Sequence, residues 1–269
     1  RLGSQHARRV SVYDYARWLF ASVPAPMMRN FLIALRSNKK EVVMDDRTRW
    51  DARYREGAYS QRPWPSDFLQ QNIRAVANNS EQSPGRALDL ACGAGRNSVF
   101  LADYGFATQG VDISAAALAR GAAYATNVGV KVGWVCQGLL PKTNGGDPRA
   151  VSVTSNPIQE LVKDPINDFG QFQLIILFRF VAPGLLTTLM DHLLPGGHLM
   201  VEEHLQHDLG EDIVGPRSAA FRVAPGALRA EVAASTQAYE VIEDFAGAVV
   251  EPSGDKAAVS RLWVQRLPG

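Results

Sequence analysis

From residue 85 onward, short apolar runs alternate with segments whose apolar residues recur every three or four positions. The apolar runs predict seven strands, at 86–91, 107–111, 131–136, 172–178, 197–203, 239–245 and 258–266. The intervening segments predict helices at 96–103, 115–127, 157–163, 183–194 and 225–235. Regular alternation of strands and helices is typical of a parallel sheet that is covered by helices on both faces.

The last two predicted strands are joined by a short turn instead of a helix. Residues 252–254 are Pro-Ser-Gly, which favours a reversal of the chain, so these two strands run antiparallel. We therefore predict an α/β, Rossmann-like doubly wound fold. Its sheet is mostly parallel and seven-stranded, with an antiparallel strand near the C-terminal edge, and an N-terminal helical extension precedes it.

The distribution of charge predicts two regions. Residues 1–40 contain eight Lys or Arg and one acid, which leaves 20 basic and 26 acidic residues in the remainder of the chain. We predict a basic N-terminal extension over 1–44 and a domain over 45–269 with a polar insertion at 141–168. Because this domain is acidic, we expect it to have no general affinity for nucleic acid.

The basic extension has two interpretations. It is rich in Arg, poor in acids and partly amphipathic, as mitochondrial transit peptides are. Alternatively, it is a helical extension that packs on the domain or on a partner. Its longest uncharged run is 11 residues, from Trp18 to Met28, so no transmembrane segment is expected. Two cysteines without metal-ligand spacing predict no metal site and a reducing intracellular location, either the mitochondrial matrix or the cytoplasm.

The segment ALDLACGAGRNS, residues 87–98, runs from an apolar strand into a glycine-rich turn. Such turns bring the backbone close to a phosphate or a cofactor. A P-loop also needs a Lys after its last glycine, and this turn has none. A dinucleotide-binding turn needs a third small residue, for which the chain offers only Ser98.

Two carboxylates accompany this turn. Asp89 lies four positions before Gly93, at the end of the first strand, where it can accept a hydrogen bond from an ammonium group. Asp112 ends the next strand, where an acid can accept both hydroxyls of a ribose. S-adenosylmethionine contains both an amino-acid group and a ribose. The pattern of one acid for each group, with glycines between them, therefore predicts a binding site for this cofactor. Asp89 argues against a dehydrogenase.

The segment 87–114, ALDLACGAGRNSVFLADYGFATQGVDIS, resembles the first two motifs of class I S-adenosylmethionine-dependent methyltransferases. The sequence CGAGRNSVFLADYG is similar to the corresponding motif of the tellurite-resistance methyltransferase-like branch. Four other segments also resemble this family: WDARYREGAYSQRPWPSDFL, FQLIILFRFV, LLPGGHLMVEE and VGPRSAAFRVAPGALRA. The resemblance as a whole covers roughly residues 50–266. The resemblance implies the fold and the cofactor, S-adenosyl-L-methionine, and leaves the acceptor open.

Carried over residue by residue, the resemblance implies a set of cofactor-binding residues at the strand ends and in the turn. They are Asp89, Gly93, Gly95, Arg96, Asn97, Asp112, Ile113, Gln137 and Phe178. Trp50 and Tyr54 would close the site from the N-terminal side.

The catalytic residue is not identified, and the candidates are Arg179, Glu202 and His204. Arg179 matches the fourth-strand motif, and Glu202 and His204 follow the fifth strand, where a general base could lie. The alternative is that the acids only cap or solvate the end of that strand.

Two positions depart from the family's pattern. Gln137 stands near the end of the third strand, where the family usually has an Asp that contacts adenine. Val181 and Ala182 follow the fourth-strand Arg-Phe, where a His is common. The second departure indicates a different acceptor or none.

Two functions therefore stay open. The first is a methyltransferase that acts on a small molecule or on a protein or RNA partner. The second is a methyltransferase-fold subunit, with little or no turnover, of a larger complex, for which a mitochondrial location stays open. Such a subunit would dock through the extension 1–44 or the insertion 141–168.

Overall fold

The computed structural model describes residues 45–77, 84–139, 170–208, 210 and 212–268, which form a central sheet with helices on both faces. These residues fall in one structural unit, Asp45–Gly269. The predicted extension 1–44, insertion 141–168 and helix 157–163 lie outside the described residues, so the proposed domain boundaries remain predictions.

The strands and helices follow the predicted alternation. The strands are β1 (Arg86–Leu90), β2 (Ala107–Asp112), β3 (Gly133–Cys136), β4 (Phe172–Phe178), β5 (Leu193–His204), β6 (Ile213–Val214), β7 (Tyr239–Val250) and β8 (Lys256–Arg266). The helices are α1 (Asp46–Arg55), α2 (Asp67–Ala77), α3 (Arg96–Asp103), α4 (Ala115–Val128), α5 (Leu185–Asp191) and α6 (Ala227–Val232), with a short 3₁₀ helix at Ala219–Phe221. None of the helices in the described ranges combines the length and the apolar character that crossing a membrane requires.

The order of the strands confirms the predicted fold. The sheet runs β3-β2-β1-β4-β5-β8, and β7 pairs with the other side of β8. Strands β1 to β5 are mutually parallel, whereas β8 is antiparallel to both β5 and β7. The two-residue β6, which the sequence did not predict, pairs with the first residues of β8.

Two strand boundaries differ from the prediction by more than two residues, for local reasons. Strand β5 begins at Leu193 instead of 197, because Leu193 pairs with Phe172 before the register shifts. Gly197 lies so close to the Phe172 carbonyl that a Cβ atom there would be 2.8 Å from it. Strand β7 continues to Val250, because the reversal is confined to 251–255, where the Glu251 N–H donates to the Asp255 carbonyl at 2.7 Å.

Apolar side chains fill both faces of the sheet. On β4, Leu174 and Ile176 pack in the cluster that contains Phe68 of α2, while Ile175 and Leu177 pack in the cluster beneath α5 and α6. Burial on both faces is typical of a parallel strand with helices on either side. Because β1, β2, β4 and β5 are parallel, their carboxyl ends lie at the same edge of the sheet, where ligands bind in folds of this kind.

Candidate functional site

The turn after β1 has a backbone that only glycine permits at two positions. Gly93 and Gly95 adopt left-handed φ angles of +57° and +74°, and Gly95 caps α3. A Cβ atom on Gly93 would collide with the Tyr54 hydroxyl, and one on Gly95 would collide with the ring of Trp134. The turn therefore packs tightly at the N-terminus of α3, where unpaired backbone N–H groups favour polar or anionic ligand groups.

Trp134 of β3 is a structural residue of this site that the sequence analysis missed. Besides Gly95, its ring lies against Gly110 of β2 and Gly121 of α4, where added Cβ atoms would lie 2.9 and 2.8 Å from the ring. Three glycines from separate elements thus make room for one indole. The sequence held one signal for this packing, namely Gly110 inside a strand and Gly121 inside a helix. Glycine is unfavourable in the interior of both kinds of element unless a neighbouring group needs the space.

Asp112 lies beside the glycine turn. Its Oδ2 accepts a hydrogen bond from the Gly93 N–H at 2.8 Å, and its Oδ1 accepts one from the Ser114 N–H at 2.8 Å. Burial raises the pKa of this carboxyl, and the hydrogen bonds oppose that effect. A carboxylate offers about four lone-pair sites, so Asp112 can accept a ligand hydroxyl beside these N–H groups.

Gln137 and Ile113 lie next to Asp112. The Gln137 N–H donates to the Asp112 carbonyl at 2.9 Å. The Ile113 carbonyl accepts from the Cys136 thiol at 3.5 Å. These contacts use the backbones of Gln137 and Ile113, and the predicted contact of both residues with a cofactor remains a prediction.

Asp89 is almost completely buried beneath the turn. It is 1% exposed, and its Oδ2 accepts a hydrogen bond from the Ser98 hydroxyl at 2.6 Å. Burial raises the pKa of Asp89 to about 7, although the Ser98 hydroxyl acts to lower it. A buried carboxyl of this kind would be stabilised in its ionised form by a cation placed beside it.

Arg96 and Asn97 connect the start of α3 to the segment before α2. The Arg96 Nη1 donates to the Trp64 carbonyl at 3.2 Å, and the Asn97 Oδ1 accepts from the Ser66 N–H at 2.9 Å. Both residues thereby fix the segment that precedes α2 over the glycine turn. Their predicted contact with a cofactor remains a prediction.

Helix α1 covers the turn from the N-terminal side. Tyr54 is buried against Gly93, and burial raises the pKa of its phenol well above the ordinary value. Asp51 holds the helix in place by accepting hydrogen bonds from the Ser114 hydroxyl at 2.6 Å and from the Ala116 N–H at 3.1 Å. Trp50 stacks near Tyr54, with ring centroids 6.3 Å apart.

The three candidate catalytic residues meet where Arg179, directly after β4, lies beside Glu202 and His204 in the last residues of β5. Arg179, whose φ is +62°, binds Glu202 through Nη2 at 3.0 Å. Its Nη1 donates to His204 Nδ1 at 3.0 Å. The second oxygen of Glu202 accepts from Arg261 Nε at 2.7 Å. Arg261 was not predicted from the sequence, and neither was Glu251, whose carboxylate lies 2.6 Å from Arg179 Nη2.

These contacts restrict what Glu202 and His204 can do. Burial and the charges of Arg179, Arg222 and Arg62 lower the pKa of His204 to about 3, so the imidazole is neutral at neutral pH. Both Glu202 oxygens are engaged by arginines. The cluster therefore supplies fixed charge and hydrogen-bond donors instead of a strong base.

Glu203 lies on the opposite face of β5 from Glu202. Its Oε1 accepts from the Phe180 N–H at 2.8 Å, whereas Oε2 has no hydrogen-bond partner among the described residues. Burial raises the pKa of Glu203 to about 8, so its carboxyl is protonated at neutral pH.

Phe178, the last predicted cofactor residue, lies at the end of β4. It is 7% exposed and packs against Phe68 with the ring centroids 6.0 Å apart. Its predicted contact with a cofactor remains a prediction. In the described part of the chain, no group of three or more His, Cys, Asp or Glu residues could hold a metal ion.

Two solved structures resemble this fold. One is a protein studied for the conversion of a disulfide bond into a thioacetal group during echinomycin biosynthesis, with a TM-score of 0.53 and 15% identity over 83% of this chain and 93% of that one. The other is the magnesium protoporphyrin IX methyltransferase ChlM from Synechocystis PCC 6803 with bound S-adenosylmethionine. Its TM-score is 0.50, with 14% identity over 84% of this chain and 99% of that one.

Sequence comparisons point to the same family. The ribosomal RNA small subunit methyltransferase C of Alcanivorax borkumensis is 44% identical over 46 residues, which are 17% of this chain and only 14% of that protein. The family model described as "Methyltransferase domain" matches residues 60–236. This chain therefore belongs to the methyltransferase-domain family, which confirms the resemblance to class I S-adenosylmethionine-dependent methyltransferases.

Proposed function

We propose that this protein binds S-adenosyl-L-methionine at the carboxyl ends of β1 and β2 and transfers its methyl group to an acceptor. The observation that carries the proposal is the Asp112 carboxylate. It ends β2 beside the glycine turn, where it accepts the Gly93 and Ser114 N–H groups, and an acid at this strand end can also accept a ribose hydroxyl. ChlM, which shares the fold, was crystallised with S-adenosylmethionine and with S-adenosylhomocysteine.

The other residues of the turn fit the remaining groups of this cofactor. The buried Asp89 suits an ammonium group, because a cation would stabilise its ionised form. Gly93 and Gly95 let the backbone approach a ligand closely. When bound, the cofactor would supply an electrophilic methyl group on a sulfonium, which needs no further activation by the protein.

The role of the chain in this reaction is to position the acceptor and exclude water. Methyl transfer from a sulfonium depends chiefly on alignment of the reacting atoms. His204 is neutral and bound to Arg179, and Glu202 is bound to two arginines. We propose that these residues position the acceptor, and that the acceptor atom is nucleophilic without loss of a proton to the protein.

The second hypothesis, a subunit of a complex with little turnover, gains no support from the comparisons. The regions that would dock such a subunit, 1–44 and 141–168, lie outside the described residues. A mitochondrial or cytoplasmic location and a protein partner also remain predictions.

Calorimetric titration with S-adenosylhomocysteine tests the proposal. Asp112→Asn should weaken binding about 30-fold or more, because hydrogen bonds to a charged group contribute about 1.5–3 kcal/mol each. Asp103→Asn, which changes an exposed carboxyl at the end of α3, is the matched control and should bind normally. Thermal unfolding verifies that both variants are folded. Failure of the folded wild-type protein to bind would overturn the proposal.

A further inference from the structure

Helix α1 contacts both residues whose N–H groups hold the Asp112 carboxylate. Those residues are Ser114, which donates to Oδ1, and Gly93, which donates to Oδ2. Asp51 of α1 accepts a hydrogen bond from the Ser114 hydroxyl at 2.6 Å. The Tyr54 hydroxyl packs so closely on Gly93 that an added Cβ atom would collide with it. Positions 51 and 54 are three apart, so both side chains lie on the face of α1 that covers the proposed ribose site.

A single oxygen of Asp51 makes both contacts with the start of α4. Its Oδ1 accepts from the Ser114 hydroxyl and, at 3.1 Å, from the Ala116 N–H. The Ser114 Oγ in turn accepts from the Ala117 N–H at 3.1 Å. Because the first N–H groups of a helix have no partner within the helix, Asp51 and Ser114 together satisfy two of them. The position of Ser114, and of the N–H that holds Asp112, therefore depends on Asp51.

This connection between α1 and α4 is buried and is supported at a second point. Ser114 is 0% exposed, so solvent does not compete with Asp51 for its hydroxyl. Arg120 of α4 donates to the carbonyls of Tyr54 at 3.3 Å and Ala58 at 2.8 Å, which fixes the other end of α1. Since a buried hydroxyl without a hydrogen-bond partner is unfavourable, loss of Asp51 should shift Ser114 toward another partner.

We infer that Asp51 is a positioning residue for the cofactor. Through Ser114, which lies 63 positions later in the chain, it holds the Asp112 carboxylate in the orientation that accepts the ribose of S-adenosylmethionine. The inference rests on the proposed function, because it requires that the ribose binds at Asp112. It makes the attachment of α1 to α4 a condition for tight binding of the cofactor.

Calorimetric titration of the full chain with S-adenosylhomocysteine tests this role. Asp51→Ala removes both hydrogen bonds and should weaken binding about tenfold, because a displaced Asp112 loses part of its charged hydrogen bonding to the ribose. Asp51→Asn keeps an oxygen in the place of Oδ1 and should bind within about threefold of wild type. A loss in Asp51→Asn equal to that in Asp51→Ala would mean that only the charge matters, and it would overturn the inference.

Two further variants control for charge and for stability. Asp46→Ala removes the same charge from an exposed position of α1. Glu231→Ala removes a carboxylate that accepts from the Leu186 N–H at 2.7 Å, so it weakens the start of another helix, α5. In the described part of the chain, neither carboxylate contacts the two donors of Asp112, so both variants should bind within about twofold of wild type. Losses in these variants equal to that of Asp51→Ala would overturn the inference.

A double-mutant cycle separates the positioning of Asp112 from a general structural role. In the Asp112→Asn background, Asp51→Ala should weaken binding no more than about threefold, and the same tenfold loss in both backgrounds would overturn the inference. Ser114→Ala removes the link but leaves Asp51 bound to Ala116, and it should weaken binding about fivefold. This variant decides the question if Asp51→Ala does not fold, and normal binding by either folded variant would overturn the inference. Failure of the folded wild-type protein to bind S-adenosylhomocysteine would instead overturn the proposed function.

Discussion

The buried carboxyl of Glu203 predicts an unusual dependence of stability on pH. Glu203 is 2% exposed, its Oε1 accepts from the Phe180 N–H, and burial raises its pKa from 4.5 to about 8. The folded protein therefore keeps this proton at neutral pH, whereas the unfolded chain releases it. The stability that the protonated carboxyl contributes is complete below about pH 4.5 and is lost as the pH rises toward 8.

The size of this change in stability follows from the one proton that the folded protein binds and the unfolded chain does not. Each pH unit in this window lowers the free energy of unfolding by about 1.4 kcal/mol, which amounts to about 3 kcal/mol between pH 5.5 and 7.5. Glu203→Gln keeps the shape of the protonated side chain and an oxygen for the Phe180 N–H, but it has no proton to lose. Relative to wild type, the variant should therefore gain about 3 kcal/mol of stability over the same interval.

Urea unfolding followed by tryptophan fluorescence at about pH 5.5, 6.5 and 7.5 measures this difference. Glu240→Gln, at an exposed position of β7, is the matched control and should differ from wild type by a constant amount. A constant difference between Glu203→Gln and wild type over these pH values would refute the reasoning, because it would mean that Glu203 is ionised in the folded protein.

Three further predictions concern the cofactor turn and its support. Gly95→Ala should abolish S-adenosylhomocysteine binding and lower stability by at least about 2 kcal/mol, because its Cβ would meet Trp134 at a left-handed φ. Gly129 has a φ of +85° and open space around it, so Gly129→Ala is the control. This variant should lose about 1 kcal/mol of stability and bind S-adenosylhomocysteine normally, as calorimetry and urea unfolding of both variants would show. Asp51→Ala should lower stability by about 1–3 kcal/mol through the lost hydrogen bonds to the start of α4, and unchanged urea unfolding would contradict this. Since the pKa of Asp89 is about 7, S-adenosylmethionine binding at pH 7 should release about half a proton and strengthen from pH 6 to 7.5. Calorimetry in buffers of different ionisation enthalpy measures the release, which Asp89→Asn should abolish.

The sequence predicted the features of the fold that depend on local patterns. Helix α3 matches its predicted bounds, and α4 begins at the predicted residue 115 and ends one residue after the predicted 127. Asp89 and Asp112 were found because acids at the ends of adjacent parallel strands meet at one edge of the sheet. These signals are short in sequence and independent of distant packing.

The features that were missed depend on contacts between distant parts of the chain. Glu251 lies 72 positions after Arg179, and its place in the cluster follows from the hairpin between β7 and β8. Trp134 fills a space made by glycines of three different elements. No local pattern indicates such pairings, because they arise when the strands align in the sheet.

The proposed binding of the cofactor ribose at Asp112, beside the glycine turn, can be seen in a crystal structure of the protein with S-adenosylhomocysteine. We expect both ribose hydroxyls to donate to the Asp112 carboxylate at hydrogen-bond distances of about 2.5–3.0 Å, with the amino group of the ligand on the Asp89 side of the turn. A nucleoside bound elsewhere, or a ribose that makes no contact with Asp112, would contradict it.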